Sequence, residues 1–253
     1  MLEIQNTNTI AQPWTAWFFY GPTGAGKTTA ASTFPSPIFI VPANEGSELS
    51  LRGKGLPFVR VGKRADGKVV PARQHLNEIL TDLEKRHAQM RAALAAGDEA
   101  AADEAFPWQT IVIESLTHLG DMLVEDVSNY GQKKMDQQGW GAISTFLRTM
   151  HSRLRNMDVH VVYTSLAKTQ ESESGGITTG GPSLIGSMAE KMPSACDVIA
   201  YMEEVPAPKG EQPVYRAHFR KYRWWAARTR FSGFPDAVDN FEFGRVAHHL
   251  GLT

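Results

Sequence analysis

The chain has 253 residues, 42% of them apolar and 21% charged, with a net charge of -1. That length holds one full α/β core with at most a small appendage, and the neutral balance excludes a global attraction to nucleic acid, so any nucleic-acid surface has to be local. The single cysteine, Cys196, excludes an internal disulfide and a cysteine metal cluster, while the polar start and the lack of any membrane-length apolar run point to a cytoplasmic protein with no membrane partner.

The first element is an apolar strand from Trp14 to Tyr20, which runs directly into Gly21-Pro22-Thr23-Gly24-Ala25-Gly26-Lys27-Thr28. This is a complete G-x-x-x-x-G-K-[ST] phosphate loop, and the segment after it, from Gly26 to about Thr33, favours a helix. Glycines let the backbone N–H groups turn onto phosphates, Lys27 reaches the β and γ phosphates, and the Thr28 hydroxyl ligates Mg²⁺. Thr29 belongs to the same nucleotide-binding set, and the expected ligands are ATP and Mg²⁺.

A second strand, Pro37 to Val41, ends in Pro42-Ala43-Asn44-Glu45-Gly46-Ser47-Glu48. Ligands of an open α/β sheet sit at the carboxyl ends of its strands, so Glu45 and Glu48 are placed to face the nucleotide. Glu45, at a Glu-Gly junction, is the better group to polarise the attacking water; Glu48 reads as a first-turn helix acid with a structural role. After a strand from Pro57 to Val61, the chain departs from a minimal nucleotide-binding core between Gly62 and Pro107. Arg64 to Lys68 reads as a hairpin or loop tip, and Gln74 to Ala105 as a helix broken at Gly97. The stripe Leu76, Ile79, Leu80, Leu83, His87 and Met90 reads as core, and the charged face as solvated, with a partner surface as the alternative.

Thr110-Ile111-Val112-Ile113-Glu114-Ser115 has the form of a buried parallel strand ending in an acid, the Walker B arrangement that holds Mg²⁺. Glu114 stands where Asp is usual; a solvated strand-end Glu is the competing reading. Helices are expected from Thr117 to about Tyr130 and from Gly139 to about Met157, the second packing Ile143, Phe146, Leu147, Met150 and Leu154 on the sheet. The strand Val159 to Tyr163 finishes in Thr164-Ser165, hydroxyls placed either to contact the γ phosphate or to cap the next helix.

Glu171 to Pro182 is too polar and glycine-rich to bury a core and is expected to be a mobile surface loop, either a connector or a loop ordered by a ligand. Tyr215 to Arg230 interleaves basic and aromatic residues. Such a stretch can track a phosphate backbone while stacking bases, or form an amphipathic hairpin with its rings in the core.

In this order the motifs resemble the RecA-like branch of P-loop ATPases, most closely its compact phage-encoded members implicated in single-strand DNA annealing and recombination. The resemblance covers about Trp14 to Phe234. It implies an α/β fold, a single RecA-like ATPase domain over residues 1–253 with a mostly parallel sheet flanked by helices, a C-terminal β-hairpin and a helical insertion at about 62–107. It makes Glu45 the catalytic glutamate and Thr164-Ser165 a γ-phosphate sensor. Thr178-Thr179-Gly180-Gly181 is similar to a segment of the second DNA-binding loop of RecA recombinases, which places single-stranded DNA on a mobile loop at about 168–182, with Lys168 nearby.

Ala227-Arg228-Thr229-Arg230-Phe231 resembles the segment whose two basic residues enter the neighbouring protomer's ATP site. By that match Arg228 and Arg230 act with Lys27 and Glu45 in catalysis, as fingers supplied in trans. The implied partners are single-stranded DNA, further copies of the chain with ATP at their interfaces, and a single-strand binding protein, in the cytoplasm, which is the host's if the chain is phage-encoded. Three departures stand out: Glu114 for Asp, Arg for Lys in the basic pair, and the helical insertion. With no large N-terminal oligomerisation domain in the sequence, assembly is expected to use the core itself. A helicase, helicase loader or packaging motor with the same core chemistry is one rival reading; a DNA-binding or assembly module switched by ATP with negligible turnover is another.

Overall fold

The computed structural model describes residues 14–44, 46–171, 176–207 and 212–251. Its centre is β1 (Ala16–Gly21), in which all six residues are buried. A strand with no exposed face has to be covered by layers on both sides, as in parallel sheets. The sheet supplies neighbours as well: β5 (His160–Glu171) and β7 (Val198–Val205) both pair with β1 in parallel. Beyond β5 lie β4 (Thr110–Ile113), β2 (Pro37–Pro42) and the edge strand β3 (Phe58–Val61), all parallel. Beyond β7 the sheet turns antiparallel through β8 (Val214–His218) and β10 (Ala237–Asp239), and the short β9 (Arg228–Thr229) pairs with the start of β7. This is an α/β fold with a mostly parallel sheet flanked by helices and antiparallel strands at its C-terminal side.

Alternation along β1 divides the core. Ala16, Phe18 and Tyr20 face a layer built from α2 (Ala72–Ala95), α4 (Leu116–Val127), α5 (Gln137–Arg155) and α6 (Met188–Ala195). Trp17 and Phe19 face the opposite layer, which holds α1 (Lys27–Ala31), Phe34 and the C-terminal aromatics Phe219, Phe234, Phe241 and Phe243. The Trp17 ring lies 5.3 Å from Phe34 and 5.7 Å from Phe241, and its indole N–H donates to Thr15 Oγ1 at 2.7 Å. The last helix, α7 (Phe243–Val246), adds Val246 to the same cluster.

The helical material between Gly62 and Pro107 is part of the first layer. The turn at Arg64 to Lys68 closes with Arg64 N–H donating to the Lys68 carbonyl at 2.9 Å. Of the expected stripe α2 buries Leu76, Leu80, Leu83 and His87, the leucines in the cluster that contains Ala16 and Phe18, with Ile79 and Met90 partly buried against it. It stops before Gly97, whose φ of 77° breaks the helix, and α3 (Glu99–Ala105) restarts with Asp98 accepting from the Ala101 N–H. Arg153 of α5 grips Glu84 of α2 through two hydrogen bonds of 2.7 Å each, and this guanidinium holds the Glu84 carboxyl below its usual range.

Elsewhere the structure departs from the expected boundaries. β5 continues to Glu171, and its outer half pairs antiparallel with β6 (Ile177–Pro182), so the segment expected as a mobile loop is a β-hairpin apart from residues 172–175, which lie outside the described residues. The hairpin is docked: Gly180 N–H donates to the Trp224 carbonyl at 2.9 Å, and a Cβ on Gly180 would fall 2.3 Å from the Trp225 ring. Composition alone reads as loop because the order comes from this distant partner. Among the described residues no helix is long and apolar enough to cross a membrane.

At the base of the sheet His160 is 3% exposed and accepts from the Thr15 N–H at 3.2 Å through Nδ1. Burial pulls its pKa down to about 4, and His75, His87 and His151 are lowered for the same reason. The unfolded chain, with an ordinary histidine near 6.5, takes up the proton first, so stability present at neutral pH is lost as pH falls from about 6.5 towards 4. His160 alone accounts for about 3 kcal/mol of that loss. Urea unfolding between pH 7 and pH 4 measures the slope, and His160→Gln, which retains an acceptor for Thr15, removes its share.

Candidate functional site

The loop after β1 is shaped by two close approaches. A Cβ on Gly21 would lie 2.1 Å from the Met202 carbonyl oxygen of β7, and one on Gly26, which has a φ of 81°, would lie 2.9 Å from the Tyr215 ring. Only glycine fits at either place, and the chain can turn there within reach of its neighbours. Lys27 is 8% exposed; its Nζ donates to the Gly21 carbonyl at 3.1 Å and the Pro22 carbonyl at 2.7 Å. The ammonium is thereby held on the carbonyls that open the loop.

One residue on, Thr28 donates its hydroxyl to Glu114 Oε1 at 3.0 Å. Glu114 follows the last residue of β4, is 3% exposed, and reaches the hydroxyl across the width of β5. A hydroxyl and a carboxylate converging at a buried strand end are the hard oxygen donors that Mg²⁺ takes, so this pair fits that ion. The extra methylene of Glu over Asp is used in that reach. Next to it, Ser115 Oγ and His118 Nδ1 are hydrogen-bonded at 2.9 Å in the first turn of α4.

These groups border a cleft of about 500 Å³. Its floor is the loop from Thr23 to Thr29; Glu114, Ser115 and His118 form one wall, Ser165 and Leu166 of β5 sit beside them, and Gly46, Ser50 and Tyr215 complete the rim. The expected water-orienting residue, Glu45, lies outside the described residues, although its neighbour Gly46 is on the rim. Glu48 is bonded to Arg60 at 2.8 Å, in keeping with a structural acid. Both expected sensor hydroxyls are buried; Ser165 lines the cleft, with Oγ donating to the Leu166 carbonyl at 3.0 Å, while Thr164 Oγ1 is turned to the Ile113 carbonyl at 3.5 Å. Strand alternation separates the two.

The other candidates are elsewhere. Arg228 donates to the carbonyls of Ser194 at 2.9 Å and Cys196 at 3.2 Å, and Arg230 pairs with Asp197 at 3.0 Å. Because β9 pairs with the first residues of β7, both arginines sit at the N-terminal end of the parallel strands, opposite the phosphate loop of the same chain. Thr178, Thr179, Gly180 and Gly181 are in β6; Thr179 Oγ1 donates to Gln170 at 3.0 Å, and Lys168 Nζ to the Leu184 carbonyl at 3.0 Å.

In the basic and aromatic stretch the rings turn inward: Trp225 stacks on Tyr201 at 4.4 Å and Tyr222 on His218 at 3.9 Å. Arg216 pairs with Asp239 and Arg220 with Asp236; β8 and β9 each pair with β7 and not with each other, and Tyr215 faces the cleft. Cys196 is fully buried and its thiol pKa is pushed up by that burial, which leaves it an inert small hydrophobe. Ser115, His118 and Tyr215 escaped the sequence reading. The first two sit just beyond the Walker B acid at helical spacing, a usable signal, whereas Tyr215 opens the basic and aromatic stretch, which in sequence points to nucleic acid or a hairpin and not to this cleft.

A family model described as an AAA domain matches residues 15–231. None of the curated proteins compared with the chain matches it. Among solved structures, a KaiC-like protein from the hyperthermophilic archaeon Pyrococcus horikoshii is similar at 13% identity and a TM-score of 0.41, over 83% of this chain and 79% of that one.

The contact at Gly21 gives a stability test. With a backbone carbonyl 2.1 Å from its Cβ, Gly21→Ala has to push β1 away from β7, and is expected to cost about 1 to 3 kcal/mol. Gly141→Ala, in α5 with open space around the added methyl, is expected to gain about 0.5 to 1 kcal/mol. Denaturant midpoints of the two variants should move in opposite directions.

Proposed function

Since the chain belongs to the AAA domain family, we propose that it is an ATPase which uses this cleft, shared between adjacent copies, to act on single-stranded DNA in annealing or recombination, as the compact phage-encoded ATPases do. The observation that carries the ATPase reading is the convergence of Lys27, Thr28 and Glu114 on one cleft from two strands. Thr28 and Glu114 would hold Mg²⁺, which when bound neutralises charge on the β and γ phosphates. Lys27 exchanges its loop carbonyls for phosphate oxygens. Glu45 orients the water, and Ser165 senses the terminal phosphate.

Arg228 and Arg230 are at the wrong end of the sheet to serve their own cleft, which supports a role in the cleft of a neighbour. There, each guanidinium leaves its own carbonyls and Asp197 for the transferring phosphoryl group. DNA binding rests on the hairpin. β5 lines the cleft with Ser165 and Leu166 and then continues, without a break, into the strand that pairs with β6, so one rigid element links phosphate and hairpin. Thr178 and Thr179 are exposed on it; their hydroxyls donate to the Gln170 carbonyl at 3.1 Å and to Gln170 Oε1 at 3.0 Å, and would exchange these bonds for phosphate oxygens of a nucleic-acid backbone.

Two measurements test this reading. ATP turnover should rise on adding single-stranded DNA, and the stimulation should weaken steeply with salt; turnover indifferent to DNA removes the recombination role. Lys27→Ala, Glu45→Gln and the double variant Arg228→Ala, Arg230→Ala should each lose about 100-fold or more in turnover. Mixing the Lys27 variant with the arginine double variant should restore a fraction of it, because some interfaces then combine an intact loop with intact fingers. No recovery on mixing, with assembly mass unchanged, places the arginines outside the active site.

A further inference from the structure

The cleft has two ends, and the sheet distinguishes them. Glu114 marks the metal end, two strands from β1 on the β5 side. On the other side β7 runs parallel to β1, so its C-terminal end emerges at the same edge as the phosphate loop, and β8 starts back from that edge. Tyr215, the second residue of β8, therefore stands on the rim at the end opposite Glu114.

Its ring is held there. Cγ, Cβ and Cδ1 of Tyr215 lie 2.9, 3.0 and 3.2 Å from the place a Cβ would occupy on Gly26, so the side chain rests on the loop itself. Asn240 grips its backbone from both sides, donating N–H to the Tyr215 carbonyl at 2.7 Å and accepting from its N–H at 3.1 Å. The rings of the same segment, His218, Tyr222 and Trp225, are stacked on partners. Among the described residues no aromatic ring packs on Tyr215, which is half-buried and lines the cleft.

From this arrangement we infer that Tyr215 is the platform on which the nucleobase lies. The inference rests on the proposal that ATP binds in the cleft. With phosphates on the loop and the metal pair at the Glu114 end, the nucleoside leaves towards β8, where the flat side chain is a phenol ring. Stacking on an aromatic face is available to every base, so Tyr215 supplies affinity for a nucleoside without choosing among bases. The loop reaches the polyphosphate independently of this ring.

Equilibrium binding of a slowly hydrolysed ATP analogue and of inorganic tripolyphosphate, each with Mg²⁺, separates the two parts. Tyr215→Ala is expected to weaken the analogue about tenfold or more and leave tripolyphosphate within about twofold, while Tyr215→Phe retains the analogue's affinity. Lys27→Ala should weaken both ligands. Unchanged analogue affinity in Tyr215→Ala, or an equal loss for tripolyphosphate, overturns the platform. Wild-type protein that binds tripolyphosphate and the analogue equally well also overturns it but leaves the phosphate site standing, whereas failure to bind either removes both.

Discussion

The end of β1 is fixed by contact on both flanks. Gly21 has the Met202 carbonyl against it on the β7 side, with no space for a methyl group, and pairs with Leu166 of β5 on the other. Every residue behind it is buried, so the strand has no soft face along which to slide. A loop leaving such an anchor has few conformations to choose from, and Lys27 removes more of them by bonding the Gly21 and Pro22 carbonyls. Pre-organisation of this kind lets short backbone segments bind highly charged groups without ordering cost at the moment of binding.

How much of this could be read from residues alone depends on distance along the chain. The phosphate loop, the apolar strand before it and Glu114 after Ile113 are local patterns, and the break at Gly97 follows from the backbone freedom of one residue. The hairpin beyond Thr169 was opaque for the opposite reason: its glycines and hydroxyls carry no apolar alternation, and Trp224 and Trp225, more than 40 residues on, provide the surface that orders it. Thr164 and Ser165 were both plausible sensors, and only the pleat, which sends neighbours to opposite faces, tells them apart. Tyr215 was legible as part of an aromatic and basic stretch, but its place on the rim depends on two strand pairings and was not.

The two ends of the parallel strands have different chemistry. The C-terminal end gathers Lys27, Thr28, Glu114 and the hairpin; the N-terminal end gathers Arg155, Arg230 and Asp197, with the Asp197 carboxylate also accepting from the Ala16 N–H at 2.8 Å. Asp197 thus ties the start of β1 to the start of β7, and the phosphate loop stands at the far end of the same two strands. Arg230 stands half-exposed at that tie, at the base of the strand that carries the loop. The same Tyr20 that precedes Gly21 donates its hydroxyl to the Ala226 carbonyl, next to the tryptophans that dock the hairpin.

The second layer over β1 has a bearing on how the protein is made. Trp17 and Phe19 are covered by Phe219, Phe234, Phe241, Phe243 and Val246, residues that leave the ribosome some 200 positions after the strand they cover. Closing that layer is a contact of very high sequence separation, and such contacts form late. A nascent chain that already contains the entire phosphate loop, Glu114 and the hairpin still has one face of its central strand bare. The strand that carries the phosphate loop is thus synthesised some 200 residues before the layer that covers it, and a chain lacking that layer exposes a row of aromatic residues of the kind that chaperones shield.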